Sequence, residues 1–309
     1  MKQLIITIAA LLLLPLAVMA QYEEDTENGV VSLNGKEGFT IATKKGDFVF
    51  KPYMLVQTSA NINYYDDEGL DPAYNQDNIH NSGFSIPYAI LGFTGKAFDR
   101  VTFNLSINAA GNGGNILQQA WFDVAIKESF RIRVGKFKTP FMHGYLSTLG
   151  ETLFPVLPYS ASQSVLLPYD VNYVIPNMST GFDLGVQVHG LIHDKWIYQV
   201  GIFNGTGIDV NLATKTNCDD HKWLPSLLYA GRLAFMPKGE MPTSQGSPEN
   251  LNDDKMSIAV SASYNAEAEF LTSSDTRVGV EFAWIKNRWY VAAEGYYCLL
   301  YTSDAADDL

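Results

Sequence analysis

The charged residues with the clearest chemical potential stand at alternating positions in short segments. Arg131 and Arg133 are two residues apart in Phe-Arg-Ile-Arg-Val, and Asp123 belongs to the preceding segment, Trp-Phe-Asp-Val-Ala. Side chains at i and i+2 of a β-strand point to the same face, so both guanidinium groups are expected on one side. Gathered on a water-filled face, such groups attract anions. This spacing predicts an anion-attracting surface rather than a catalytic centre.

Motifs for nucleophilic or metal chemistry are weak. The chain contains no Gly-x-Ser-x-Gly and no His-Glu-x-x-His, so we predict that it is not an enzyme and takes no cofactor. His189, His193 and Asp183 share one strand parity, but solvated side chains explain them better than a metal site. Cys218 and His221 lack a second ligand pair at zinc spacing, so no metal is predicted.

Composition limits the class of protein. Of 309 residues, 47% are hydrophobic and 17% are charged, and 33 acidic against 21 basic residues give a net charge of −12. So low a charged fraction, below the usual ~25%, excludes a typical disordered chain. The acidity also argues against a nucleic-acid partner, because phosphate binding needs an extended basic face.

Apolar and polar residues alternate in segments of about ten residues. From Phe48, the even positions include Phe50 and Met54, whereas the odd positions include Lys51 and Gln57. Alternation with a period of two predicts a β-strand with two different faces, and about ten tilted residues cross a bilayer. Eleven such segments begin near residues 48, 86, 101, 121, 130, 182, 196, 227, 258, 277 and 289.

The polar face distinguishes two all-β folds. In a soluble β-sandwich, Arg131, Arg133 and Glu281 would face the core, where unpaired charge is costly. A membrane barrel turns its apolar face to lipid and its polar face to internal water. We therefore predict an all-β fold, a transmembrane antiparallel β-barrel. Aromatic residues near segment ends, including Tyr53 and Trp196, are interpreted as interface girdles, and Trp121 is expected to face inward.

The two ends of the chain are predicted to lie outside the barrel. Residues 1–20 resemble a secretory signal with Lys2, an apolar run and a small-residue cleavage site, which indicates export towards the bacterial outer membrane. Residues 21–46 are assigned to an N-terminal segment and first hairpin, and 47–297 to an incomplete barrel. Residues 298–309 back-translate to a transposon-type sequencing adapter, so Cys298 is interpreted as non-native and no disulfide is expected.

Connections between the segments alternate in length. Short turns fall at 98–100, 127–129, 193–195 and 286–288, and longer connections at 59–85, 110–118, 139–180, 204–226 and 266–275. Outer-membrane barrels show this alternation, with short periplasmic turns and longer external loops. Residues 237–255 are the exception, and predict either a missed strand or an inserted turn. Because bacterial barrels have an even strand count, eleven segments predict that further strands follow.

One segment resembles a known family. Gly135-Lys136-Phe137 ends a strand, opens a long loop and follows Gln119-Ala-Trp-Phe-Asp123; it is similar to the phosphate-selective porin O and P family. The resemblance implies a sixteen-stranded, usually trimeric outer-membrane channel in contact with lipid. It also implies a basic pore and a third external loop folded inward, which by our count is 139–180. Inorganic anions or small solutes are then the expected partners.

The predicted pore is slightly basic although the chain is acidic. Strand phase places seven cations inward against five acids, a difference of +2 that favours anions. A general, weakly selective pore remains the alternative. The inward cations are Lys51, Lys96, Lys127, Arg131, Arg133, Arg232 and Arg277, and the inward acids are Asp47, Asp123, Asp183, Glu281 and Glu294.

The long third loop departs from the family pattern. Residues 140–180 contain no Lys or Arg, and their ionisable groups include His143 and Glu151. At the base of this loop, Lys136, Lys138 and His143 are the candidate anion-binding residues, although Lys136 and Lys138 fall in the outward phase. The acidic, aromatic connection 59–85 leaves open a non-channel barrel that acts as an adhesin or receptor.

Overall fold

All described strands form one antiparallel sheet in which neighbours in sequence are neighbours in space. The computed structural model describes residues 29–34, 38–64, 80–111, 116–147, 149–152, 182–205, 227–242, 244–245, 254–265, 274–287 and 289–301. The strands are β1 (Gly29–Asn34), β2 (Gly38–Thr43), β3 (Phe48–Tyr64), β4 (His80–Ala97), β5 (Val101–Asn108), β6 (Leu117–Lys127), β7 (Phe130–Lys138), β8 (Phe182–Ile192), β9 (Trp196–Phe203), β10 (Leu228–Phe235), β11 (Asp254–Asn265), β12 (Ser274–Lys286) and β13 (Trp289–Tyr301).

The two faces of the sheet have the predicted chemistry. Val134 lies opposite Phe122 on one side and Val186 on the other, and apolar residues continue across the neighbouring pairs. Such a continuous exposed apolar face is far larger than the patches of soluble monomers. Exposed side chains on this face include Met54, Phe93, Leu105, Phe122, Val134, Val186, Val200, Leu233, Val260, Val280 and Val291. The fold class predicted from alternation, an antiparallel β-barrel wall with one apolar and one polar face, is confirmed.

Tight turns join the strands at one edge. Phe98 and Asp99 both have positive φ angles, as do His193 and Asp194. Two successive left-handed residues are typical of the type I′ turns that match the twist of a hairpin. The predicted short turns are therefore present between β4 and β5 and between β8 and β9.

The strands extend further than the eleven predicted segments. β3 has 17 residues and β4 has 18, so residues 59–64 and 80–85, assigned to a loop, are strand. The predicted first hairpin corresponds to β1 and β2, and β2 pairs with β3 through Ile41 and Phe50, so it continues the same sheet. β13 runs to Tyr301, across the boundary at residue 298; the adapter origin of 298–309 stays a prediction.

Some predictions fall on parts of the chain that the structure does not describe. These are the signal segment 1–20, the acidic connection 65–79, Cys218, and most of the third loop between 153 and 181. In the part of the chain that the structure does describe, no helix is both long enough and apolar enough to cross a membrane.

The sheet curls around a chain segment that follows β7. This segment contains a one-turn helix, α1 (His143–Leu146), and a 3₁₀ turn (Leu149–Glu151). The Gly144 amide nitrogen donates to Glu294 Oε1 of β13 at 2.7 Å. In a flat sheet, the six strand steps between β7 and β13 would separate them by about 29 Å. The contact therefore requires a strongly curved sheet with α1 on its concave side.

The long connection after β10 begins without a strand. Of the predicted range 237–255, the described residues 237–242 and 244–245 are not strand and residues 254–255 already belong to β11, so the part that the structure describes agrees with an insertion. Met241 packs with Met236, Ala283 and Ile285 in a buried apolar cluster on the concave side. This insertion therefore folds back against the inner face of the sheet.

Candidate functional site

The two central arginines converge on one buried carboxylate. Asp123, whose side chain is 0% exposed, lies 2.8 Å from Arg131 Nε and 2.8 Å from Arg133 Nη2. His189 Nε2 lies 2.7 Å from Asp123 Oδ2. β6, β7 and β8 position these groups, because Arg133 is the register partner of Asp123 and Arg131 that of His189. The structure thus brings together the residues predicted to be inward, but as a paired cluster.

Trp121 faces inward as predicted and supports the same cluster. The Arg133 guanidinium carbon lies 4.3 Å from the centre of the Trp121 ring. A guanidinium over an aromatic face is held by cation–π attraction and stacking. Trp121 therefore orients Arg133 rather than standing free in the lumen.

A second paired cation lies on the neighbouring wall. Arg232 Nη2 is 2.8 Å from Glu281 Oε2, and both side chains are more than nine-tenths buried. Glu281 is also the register partner of Glu294 on β13. The guanidinium therefore offsets part of the negative charge of two adjacent carboxylates.

The other predicted pore cations are more dispersed. Lys96 pairs with Asp99 at 2.7 Å near an exposed turn. Lys127 is exposed at the end of β6, Lys51 is half-buried on the concave face, and Arg277 is buried on β12. The seven cations therefore do not form one cluster.

The glycine of the Gly-Lys-Phe motif is required by a close approach of two strands. Gly135 has φ +127°, and a β carbon at this position would collide with the Ala120 carbonyl oxygen. An L side chain rarely adopts such a φ, so glycine is the residue that fits. The following Phe137 is buried and packs edge-on against Phe203 at 5.3 Å.

Lys136 and Lys138, at the end of β7, bind backbone oxygens, and the prediction from strand phase that they point outward is wrong: Lys136 is buried and Lys138 lies on the concave side. Lys136 is 1% exposed, and its Nζ donates to the Leu117 carbonyl at 2.5 Å. Lys138 Nζ donates to the carbonyls of Tyr145 and Ser147, both at 2.7 Å. Lys138 therefore ties the end of β7 to the C-terminal end of α1, where the helix carbonyls attract a cation.

The α1 segment is anchored on the far wall by β13. Besides the amide of Gly144, the Glu294 carboxylate accepts a hydrogen bond from Tyr296 Oη at 2.5 Å. The Phe141 ring lies 5.6 Å from that of Tyr296. The chain thus crosses the concave side from β7 to β13. The part of the third loop that the structure describes is folded inward.

A cavity of about 1020 Å³ lies on the concave side beside α1. Among the described residues, its ionisable lining side chains are four basic residues, His143, Tyr53 and one carboxylate, that of Glu151. The basic residues are Lys51, Arg133, Lys138 and Arg232. Three of them belong to the predicted pore set and one to the predicted base of the loop.

The fold agrees with a comparison of the sequence with models of known protein families. The features that agree are the curved antiparallel sheet, the apolar outer face and the inward segment after Gly-Lys-Phe. The family model "Phosphate-selective porin O and P" matches residues 56–309. The chain belongs to this family. No curated protein matches the chain. Proteins of the family are outer-membrane porins, and an apolar outer face is the kind of surface that such barrels turn towards lipid.

In this porin the insertion meets the α1 segment. The Gln245 amide nitrogen donates to the Glu151 carbonyl at 2.9 Å. Residues of both segments, including Glu151, Met241 and Pro242, line the cavity. Since short turns and long loops leave opposite edges of the sheet, the two segments enter the concave side from opposite ends.

The titratable groups of α1 are held neutral. Burial lowers the pKa of His143 from its ordinary value; Arg232 lowers it further, whereas Glu281 raises it. Burial raises the pKa of Tyr145 well above its ordinary value. His143 therefore lines the cavity as an uncharged group near neutral pH, and contributes less to anion attraction than its position at the loop base suggested.

Three features of the site were not predicted from the sequence. Tyr53, interpreted as a girdle residue, faces the cavity, and its Oη lies within 3.2 Å of Asn104; its odd position beside Lys51 and Leu55 was the signal. Glu294 was predicted to be inward, but not to anchor the loop. The contact between Gln245 and Glu151 has no sequence signal, because nothing local relates the two segments.

The described residues contain no group of three His, Cys, Asp or Glu side chains that could hold a metal ion. His189 pairs with Asp123, and not with Asp183 as considered from its parity. Asp183 accepts hydrogen bonds from the amides of Leu184 and Gly205 instead.

Proposed function

We propose that this porin forms a water-filled outer-membrane channel for passive diffusion of small solutes, with a preference for anions such as phosphate. The observation that carries the proposal is the lining of the cavity beside α1. Among the described lining residues, Lys51, Arg133, Lys138 and Arg232 stand against one carboxylate, that of Glu151, although the whole chain has a net charge of −12. A wall of basic side chains raises the local concentration of anions.

Pairing reduces this positive field without abolishing it. Asp123 is shared by Arg131 and Arg133, so these three groups carry a net charge of +1. Arg232 neutralises Glu281 and leaves the adjacent Glu294 as a further carboxylate, so the remaining positive charge comes from Lys51, Lys138 and the Asp123 cluster. Charge in a narrow space with protein walls is screened less than charge in bulk water, so the remaining charge favours anions.

The same pairing of cations with carboxylates supports a second candidate function, a general pore with weak selectivity. A phosphate-specific site needs several donors directed at one anion, and here Lys138 is engaged by two backbone carbonyls. A general pore with a modest anion preference needs only the excess charge.

We also propose the export route and the oligomeric state that the sequence predicts. Residues 1–20 would direct export across the inner membrane, and the porin would assemble as a homotrimer in lipid. Light scattering of the purified, detergent-solubilised full-length protein tests the trimer, and a mass of one subunit would contradict it.

Reversal potentials of the full-length protein in a planar bilayer under a KCl gradient test the anion preference. The expected potential has the sign of chloride selectivity. Lys51→Gln should shift it towards zero, whereas Lys195→Gln, on an exposed turn, should leave it unchanged. Cation selectivity would contradict the basic-lumen proposal, and absence of conductance would contradict the channel.

Phosphate added to the chloride current separates the two candidates. Saturable inhibition is expected of a specific site. Inhibition that only follows ionic strength indicates the general pore.

A further inference from the structure

The ring of Tyr53 lies flat on the inner wall of the sheet. Tyr53 Oη donates to Asn104 Oδ1 at 3.2 Å and accepts from Asn104 Nδ2 at 3.1 Å, so the side chain reaches from β3 across β4 to β5. On the way it passes over its register partner Gly92. A β carbon added at Gly92 would collide with ring atoms of Tyr53, so a larger residue at this position would displace the ring.

One face of this ring is covered by backbone and the other borders the cavity. Tyr53 is half-buried and lines the cavity beside α1. The backbone of β4 at Gly92 covers one side of the ring, so its exposed part is directed towards the cavity. An aromatic face that borders water and is held in place at its edge can stack a planar ring of a solute.

A cation and the inward segment lie on opposite sides of this ring along β3. Lys51 lines the same cavity and precedes Tyr53 by two residues, about 7 Å along the strand. Leu55 follows Tyr53 by two residues, and a β carbon at Gly150 would lie 3.7 Å from the Leu55 side chain. The next residue, Glu151, carries the carboxylate of the lining. An anionic group is therefore favoured beside Lys51, and an uncharged body beside Tyr53 and Leu55.

Neutral polar side chains continue the wall from Lys51. Lys51 is the register partner of Thr94, and Thr94 is that of Asn104. Both Thr94 and Asn104 are half-buried and line the cavity. Neither adds a negative charge, and their hydroxyl and amide groups are of the kind that bonds solute hydroxyls.

We propose that Tyr53 and Lys51 form a binding site for phosphate monoesters that carry a planar ring, the class to which nucleoside monophosphates belong. The inference rests on the proposed anion-preferring channel and extends its solutes from inorganic phosphate to phosphate esters. The phosphate group would lie at Lys51, and the base would stack on Tyr53. The cavity of about 1020 Å³ is at the upper end of the roughly 300–1,000 Å³ typical of small-molecule sites, so it has room for such an ester.

Inhibition of the chloride current by three phosphate compounds tests the site. Inorganic phosphate, ribose 5-phosphate and adenosine monophosphate are added at equal ionic strength to the full-length protein in a planar bilayer. The two esters share the phosphate and the sugar, so their comparison isolates the base. The concentration for half inhibition should be at least about fivefold lower for the nucleotide than for ribose 5-phosphate, because a base gains from stacking on an aromatic ring. Equal values for the two esters would overturn the inference.

Variants of Tyr53 separate stacking from obstruction of the pore by a larger solute. Tyr53→Leu removes the aromatic face and should make the two esters equally effective. Tyr53→Phe keeps the ring and should keep most of the preference. Tyr297→Leu is the control, because Tyr297 is 61% exposed on the apolar face of β13, and it should keep all of the preference. A preference that survives Tyr53→Leu would assign it to size and contradict the site.

Lys51→Gln tests where the phosphate group lies. It should weaken inhibition by all three compounds by a similar factor, because it acts on the group that they share. A loss confined to the nucleotide would contradict the placement of the phosphate at Lys51.

The two proposals fail in different ways. Cation selectivity under the KCl gradient contradicts the proposed function. Anion selectivity without a preference for the nucleotide contradicts the ester site alone. Calorimetric titration of both esters into the detergent-solubilised protein should give the same order of affinities without a current, and equal affinities there would also contradict the site.

Discussion

Two chain segments enter the concave side of the sheet, and polar contacts contribute differently to the two. The α1 segment after β7 is held by hydrogen bonds from Gly144 to Glu294 and from Lys138 to the helix carbonyls, together with ring packing of Phe141 on Tyr296. The insertion after β10 is held by the apolar cluster of Met236, Met241 and Ile285. They meet at the hydrogen bond between Gln245 and Glu151.

The difference indicates which of the two segments is more easily displaced from the concave side. Polar contacts beside water exchange with water at little net free energy, because both states are hydrogen-bonded. Apolar contacts have no such substitute, so opening them exposes surface at full cost. We therefore expect the α1 segment to move first, and the insertion to stay in place while the sheet is folded.

The largest change in stability is expected from the apolar cluster that holds the insertion. Ile285→Ala removes buried methyl groups from a side chain that is 0% exposed, and should lower the free energy of unfolding by about 3 kcal/mol. Urea unfolding followed by intrinsic fluorescence measures this change. Val280→Ala, on the lipid-facing side of the same strand, is the control and should cost much less. Equal losses would contradict the assignment of Ile285 to a packed cluster.

A smaller change in stability is expected from the hydrogen bonds that hold the α1 segment. Glu294→Ala leaves the Gly144 amide and the Tyr296 hydroxyl without their acceptor, and should destabilise the inward position of α1 by about 2 kcal/mol. Single-channel recording should show larger or more variable conductance, and hydrogen exchange at residues 143–147 should accelerate.

The exposed Glu240 in the insertion provides the control. Glu240→Ala should change neither conductance nor exchange. If Glu294→Ala also leaves both unchanged, this carboxylate does not anchor the loop.

The smallest effect is a pH dependence that belongs to the α1 segment. The pKa of His143 is lowered in the inward position, so the released segment binds a proton more readily. The inward position is therefore favoured above the ordinary histidine pKa of about 6.5, and loses stability as pH falls below it. Conductance should rise between pH 7.5 and pH 5. His143→Gln should abolish that rise, and a rise that persists in this variant would assign it to another group.

Much of the wall was predictable from local pattern. A strand side chain must point to one of two faces, so alternation alone separated Phe122 and Val134 from Asp123 and Arg133. Short turns marked the edge at which the hairpins close. The sequence assigned the first hairpin to a segment before the barrel, whereas the pairing of β2 with β3 includes it in the same sheet.

The site was less predictable, because partners across the lumen have no fixed spacing in sequence. Gly144 and Glu294 are 150 residues apart. Strand phase identified Arg133 and Arg232 as inward, but a phase does not say that each meets a carboxylate on a neighbouring strand.

The sequence by itself determined the fold class, the exposed apolar side and most of the residues that face inward, with Lys138 as an exception. These follow from a period of two and from turn chemistry, which act between near neighbours. Only the tertiary structure decided which cations are paired, that Lys138 holds α1, and that the insertion contributes an apolar wall. The physical reason is that the curvature of the sheet brings distant strands and two inserted segments into contact, and curvature is a property of the whole sheet.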